Sequence, residues 1–183
     1  ICILAAGEGK RMKSSQPKVL LPVLGKPMIN YLLDLELPDF AGKRLIVVSP
    51  SSYDKIQSVI DPNIEIVIQT QPLGTAHAVQ SVLSHLDRDI MKIMIIYADM
   101  PLLQAETVFE FMTHFEKNDV PIALLSAISP VPKGYGRIIR DGNGIPLKII
   151  EEKDCSPTEK NIQEINLGIY AFRKNEIEPV LRA

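Results

Sequence analysis

Residues 4–18, LAAGEGKRMKSSQPK, join small side chains, glycines and basic residues in one short stretch that follows an apolar run. Ala5 and Ala6 let backbone approach a ligand, while Gly7 and Gly9 permit turns at positive φ and turn amides toward oxyanions. Arg11 offers a planar fork of donors and Lys18 a mobile point charge. This is chemistry suited to a polyanion such as a nucleoside triphosphate. The same residues also read as a plain turn carrying solvated charge, as Lys10 and Lys13 do. The spacing is neither GxxxxGK[ST] nor GxGxxG, so a P-loop ATPase and a dinucleotide site lack support.

A second chemical candidate is Asp99, which closes the apolar run IMIIYA and precedes Met100 and Pro101. A carboxylate at a strand's carboxyl end lies where open α/β sheets take their ligands. Mg²⁺ is commonly held by one or two carboxylates plus substrate phosphates. Asp99 reads equally as a cap for a helix beginning near Leu102 or Leu103. His77, His85 and His114 have no companions at zinc-site spacing and read as helix surface or helix packing. No Ser-His-Asp or Cys-His arrangement follows from spacing, and Cys155 reads as incidental rather than nucleophilic.

Apolar runs and helix-period stretches alternate to hold these residues. The pattern predicts strands at 1–6, 44–50, 64–70, 90–99 and 120–128, and helices at 27–37, 51–60, 75–86 and 101–117, with Pro27 in the first helical turn. The stripe Phe109, Met112, Phe115 is helix-spaced and predicts core. LIVVS and IMIIYA are apolar throughout, as a sheet covered on both faces requires. The expected fold is therefore α/β: a Rossmann-like, doubly wound, mostly parallel sheet with ligands at the strands' carboxyl ends. After Pro132 the texture changes. DGNG predicts a hairpin within GYGRIIRDGNGIPLKIIEE, followed by the loop 153–161, a strand at 165–172 and a helix from Lys174. We expect a nucleotide-binding part at 1–129 and a mixed-strand lobe at 130–183.

The chain has 183 residues, 20 Lys+Arg against 22 Asp+Glu, and 46% hydrophobic residues. That composition excludes disorder, a coiled coil and a cysteine-stapled mini-protein. Near-neutral charge gives no nucleic-acid footprint, yet leaves room for a local anion site. Cys2 and Cys155 are the only cysteines; reduced cytoplasmic thiols are the plainer reading, although one pairing stays open. No membrane span or signal peptide is expected.

Taken in order, LAAGEGKRMKSSQPKVL, QTQPLGTAHAV, YADMPLL, GYGRIIR, IIEEKD and EINLGIYAF resemble the sugar-phosphate nucleotidyltransferases. The GTAHA, GYGRI and EIN set resembles in particular the N-acetylglucosamine-1-phosphate uridylyltransferase branch, and the likeness spans almost the whole chain. The resemblance implies transfer of UMP from UTP to N-acetylglucosamine 1-phosphate, with Mg²⁺, and without nucleic acid or membrane as partner. It also implies that Leu4, Ala5, Ala6 and Gly7 line uracil and ribose, and that Gly9 belongs to the triphosphate loop. Arg11 and Lys18 match the basic residues on the phosphates, and Asp99 matches the magnesium aspartate.

By the same likeness, Gln69 reads the base with Gly74 and Thr75, while Tyr97 and Ala98 lie beside the sugar nucleotide. Gly136, Glu151 and Asn166 match groups that hold the hexosamine, so the later lobe is expected to bind sugar. Ala98 stands where the family commonly has glycine, and Leu167 where it commonly has threonine, which leaves sugar preference open. The family continues past residue 183 to a second metal-binding asparagine and, in bifunctional members, to a β-helix acetyltransferase domain. The expectation is that acetyltransfer belongs to a longer protein, while oligomeric state and the activity of these 183 residues by themselves stay open. Alternatives are another sugar-phosphate or CTP-dependent nucleotidyltransferase, and a non-catalytic nucleotide-sugar-binding module.

Overall fold

A computed structural model describes residues 1–7, 14, 16–37 and 42–182. Two compact units divide the chain: residues 1–123 with 171–183, and residues 124–170.

The first unit is built on parallel strands in the order β5-β4-β1-β6: β1 (Cys2–Leu4), β4 (Leu45–Val48), β5 (Glu65–Ile68) and β6 (Lys92–Tyr97). Register is fixed by Ile3 pairing with Ile46 on one side and Ile96 on the other. Ile46, Val47 and Val48 are 0% exposed, which is why β4 is written without a polar position: helices cover both faces of such a sheet. Connections carry α1 (Met28–Leu33), α2 (Tyr53–Gln57), α3 (Thr75–Leu83) and α4 (Ala105–Lys117). α3 packs on β1, β4 and β5 and meets α5 (Lys174–Arg182).

Elements fall where the pattern places them, and those of the first 129 residues are shorter, because hydrogen-bond ladders stop at turns that the apolar run ignores. Pro27 is the residue before α1 and belongs to a small antiparallel ribbon, β2 (Pro22–Val23) with β3 (Lys26–Pro27), instead of opening the helix. That ribbon turns at Leu24 and Gly25, both at positive φ. Leu24 gives no sequence warning of such a turn.

α4 also starts later than the pattern places it. Leu103 N–H donates to the Met100 carbonyl, so residues 100–103 make a turn and the helix starts only at Ala105. Its buried stripe is Val108, Phe111, Met112 and Phe115. Phe109, expected in the core, is 47% exposed, since it lies one position off that stripe.

The second unit holds most of β7 (Ile122–Ile128) and β10 (Glu164–Arg173), with β8 (Arg137–Arg140) and β9 (Pro146–Ile150) as an antiparallel hairpin. The DGNG turn forms as expected. Asp141 Oδ1 accepts the amides of Asn143 and Ile145 at 2.9 and 2.8 Å, and Gly144 takes φ +82°. β10 pairs antiparallel with β8 through Ile165 and Arg137.

Among the described residues, no helix is long and apolar enough to cross a membrane. Cys2 and Cys155 are buried free thiols, and burial pushes the Cys2 thiol up to about 12.

Candidate functional site

A cavity of about 380 Å³ lies in the first unit where β1 and β6 end and β5 runs into Gln69. Leu4, Ala5, Ala6 and Gly7 line it from the end of β1, and Gln69, Gly74 and Thr75 from the segment leading into α3. Tyr97, Asp99 and Lys18, also predicted, line it as well. A second cavity of about 340 Å³, with Ile1, Cys2, Leu45 and Lys92, lies at the strands' amino ends. Parallel α/β sheets take ligands at their carboxyl ends, so the first cavity is the candidate.

Gly74 is the N-cap of α3 at φ +100°, a conformation that favours glycine. The first-turn amides of a helix lack intrahelical acceptors and carry positive potential. Gln69 is 6% exposed; its Nε2 donates to the Gly74 carbonyl at 3.1 Å and faces His77 Nδ1 at 3.0 Å. Thr75 Oγ1 and Tyr97 Oη share a 2.7 Å hydrogen bond that ties α3 to β6. At another part of the same cavity, Lys18 Nζ lies 2.5 Å from Asp99 Oδ2, with each side chain about one-third exposed.

Asp99 is not a helix cap: the N-cap of α4 is Gln104. Gly7 is not one of the positive-φ glycines. A Cβ there would meet nothing within 4 Å, so its contribution is open space beside the backbone. Ala98 is 0% exposed and its amide donates to the Leu4 carbonyl; it is not among the residues that line the cavity. Gly9 and Arg11 lie outside the described residues. Val19, Pro72 and Ala78 also line the cavity. Pro72 had a signal in the QPLG turn, whereas Val19 and Ala78 read as ordinary apolar positions.

The second unit brings Gly136, Glu151 and Asn166 together. A Cβ on Gly136 would lie 3.0 Å from Ile149 Cγ2 and 3.5 Å from Glu151 Oε1, so glycine keeps space beside that carboxylate. The Asn166 amide N–H donates to the Gly136 carbonyl at 2.9 Å. Asn166 Nδ2 donates to Tyr170 Oη at 2.6 Å and its Oδ1 accepts the Gly168 amide at 3.0 Å. These bonds use one of its two amide protons and one lone pair of Oδ1.

Ion pairs brace these residues. Arg137, 1% exposed, donates to Glu152 Oε2 at 2.5 Å and to the Tyr135 carbonyl. Arg140 holds Glu164 through Nε and Nη2 at 2.7 and 2.6 Å. Hydrogen bonding to Arg137 lowers the Glu152 pKa, and hydrogen bonding to Arg140 lowers that of Glu164. A depressed folded value means that the unfolded chain binds more protons. The stabilisation is thus present above the unfolded carboxylate value, about 4.3, and lost as pH falls through the folded values. Glu164→Gln in the full-length protein should flatten the acid side of the stability curve. Acid titrations followed by near-ultraviolet circular dichroism check this, and an unchanged slope would reject it.

The profile of the MobA-like NTP transferase domain matches residues 1–142. The bifunctional protein GlmU of Caldicellulosiruptor saccharolyticus is 40% identical over 180 residues, which is 98% of this chain and 39% of that protein. GlmU of a Nostoc species is 38% identical over 181 residues, 99% of this chain and 40% of that protein. The chain therefore spans about two-fifths of the length of these curated relatives. A solved structure of CMP:2-keto-3-deoxy-manno-octonic acid synthetase complexed with CTP covers 100% of this chain and 77% of its own, with TM-score 0.69 and 16% identity. At that identity the likeness is one of fold.

Proposed function

As the chain belongs to the MobA-like NTP transferase domain family, we propose that it transfers UMP from UTP to N-acetylglucosamine 1-phosphate, giving UDP-N-acetylglucosamine and pyrophosphate. The observation that carries the reading is one cavity with two chemistries. Gln69, Gly74 and Thr75 offer a planar amide and helix-start backbone for a base, and Lys18 and Asp99 offer charge for phosphates. The GlmU relatives support the choice of substrates, and a nucleoside triphosphate with a sugar phosphate suits a cytoplasmic reaction. In this reading residues 1–129 serve the nucleotide, and Gly136, Glu151 and Asn166 within 130–183 hold the sugar.

A phosphate oxygen of the sugar 1-phosphate attacks the α-phosphorus, and the bond to the β-phosphate oxygen breaks as pyrophosphate leaves. The attacking oxygen is already anionic, so no protein nucleophile is required. The protein's tasks are alignment and charge stabilisation. Lys18 exchanges its bond to Asp99 for phosphate oxygens, while Arg11 and the amides near Gly7 and Gly9 hold the departing phosphates.

The family implies a divalent metal. The donors present fit Mg²⁺, because a hard strand-end carboxylate, Asp99, stands beside a cavity sized for phosphates, the usual complement of that ion. When bound, the ion would offset charge on the phosphate oxygens. Among the described residues, no three His, Cys, Asp or Glu side chains gather as an all-protein cage.

Pyrophosphate release by the full-length protein, across a panel of nucleoside triphosphates and sugar 1-phosphates, tests the proposal. UTP with N-acetylglucosamine 1-phosphate should be the preferred pair. Preference for CTP without sugar-phosphate turnover would sink it.

A further inference from the structure

The mechanism uses Gln69 but leaves His77 unexplained, although the two side chains touch. A backbone carbonyl can only accept, so the Gln69 atom facing the Gly74 oxygen at 3.1 Å is the amide nitrogen. That same nitrogen lies 3.0 Å from His77 Nδ1. A primary amide has two N–H bonds, and both are now assigned. His77 Nδ1 must therefore accept, with the ring proton on Nε2. What remains of the Gln69 amide is Oε1, an acceptor.

Helix geometry makes the contact possible. His77 stands one turn into α3, three residues past the N-cap Gly74, so its ring reaches back over the segment that carries Gln69. The Gly74 carbonyl also accepts the Ala78 amide at 3.1 Å, so both of its lone pairs are engaged, and one bond alone leaves the Gln69 amide free to turn about it. The imidazole supplies the second anchor. Gln69 is buried and His77 half-buried, where a misdirected donor costs more than it would in water.

We infer that His77 is a positioning residue for base selection: by accepting the second Gln69 N–H at Nδ1, it turns Oε1 toward the base. An acceptor there matches a ring that presents N–H, as uracil does at N3. It opposes cytosine, whose N3 presents a lone pair. The inference rests on the proposal that this cavity takes UTP, and it assigns the nucleotide preference to a residue that need not touch the ligand.

Equilibrium titration of UTP and CTP into the full-length protein in magnesium buffer tests it. The wild type should bind UTP more tightly than CTP. His77→Leu removes the acceptor and should shrink the UTP-to-CTP affinity ratio about fivefold to tenfold, as losing one neutral hydrogen bond predicts. His77→Asn, whose Oδ1 can replace Nδ1, should keep the ratio within about twofold, since the acceptor survives. If the leucine variant does not fold, His77→Ala carries the same comparison.

A purely structural role would weaken both nucleotides alike. An unchanged ratio in the leucine or alanine variant therefore overturns the inference, as does equal loss in the asparagine variant. A wild type that binds neither nucleotide, or prefers CTP, is a different failure, because it overturns the uridylyl proposal and this inference with it.

Discussion

Asp99→Ala in the full-length protein is expected to lower turnover about tenfold to hundredfold, the rate equivalent of losing one charged interaction in the transition state. Folding should be nearly unaffected. The carboxylate is about one-third exposed, and among the described residues the substitution breaks an ion pair with an equally exposed Lys18; such pairs contribute about 0–1 kcal/mol. The effect should therefore separate cleanly: pyrophosphate release falls while the far-ultraviolet spectrum and thermal midpoint stay. Lys18→Ala should fall by a similar factor, and Arg11→Ala likewise if that side chain holds the departing phosphates. Near-normal turnover in the Asp99 and Arg11 variants would reject the roles given to them.

Phe115→Ala should do the opposite, removing stability wherever activity is left. Phe115 is 0% exposed on the inner stripe of α4, and the Arg173 guanidinium lies 5.8 Å from its ring centroid. Truncation removes apolar burial and leaves a cavity, a combination that costs about 3–5 kcal/mol. Against the roughly 5–15 kcal/mol of a typical domain this is a large fraction. Urea unfolding of the full-length protein, followed by far-ultraviolet circular dichroism, should show a lower midpoint. A loss below about 1 kcal/mol would mean that the site collapses to fill the space, contrary to the expectation for a well-packed core. The exposed Phe109 serves as the internal contrast, because its truncation should cost much less.

The parallel strands were legible because a sheet covered on both faces leaves no polar position, as in LIVV of β4 and IMIIY of β6. The hairpin at DGNG was legible because only a few residues suit its turn. Element ends were not, since the apolar run 101–103 continues the pattern of α4 while its backbone turns back at Met100. Leu24 at positive φ was equally hidden, because its conformation is imposed by the pairing of β2 with β3.

For the site, residue chemistry alone singled out Lys18 in the glycine-containing loop and Asp99 at the end of an apolar run, whereas Gln69 and the Gly74–Thr75 turn were named by the family likeness. Sequence could not decide that Asp99 answers to Lys18 rather than to a helix, because that depends on where α4 begins. Nor could it distinguish His77 from an ordinary helix histidine. A hydrogen bond between Gln69 and His77 exists only once β5 and α3 are placed, and direction in a hydrogen bond is a property of three-dimensional geometry. Composition and order thus determined the fold class and the kind of chemistry. Tertiary structure decided which donors are already spent, and so which atoms are left to choose a ligand.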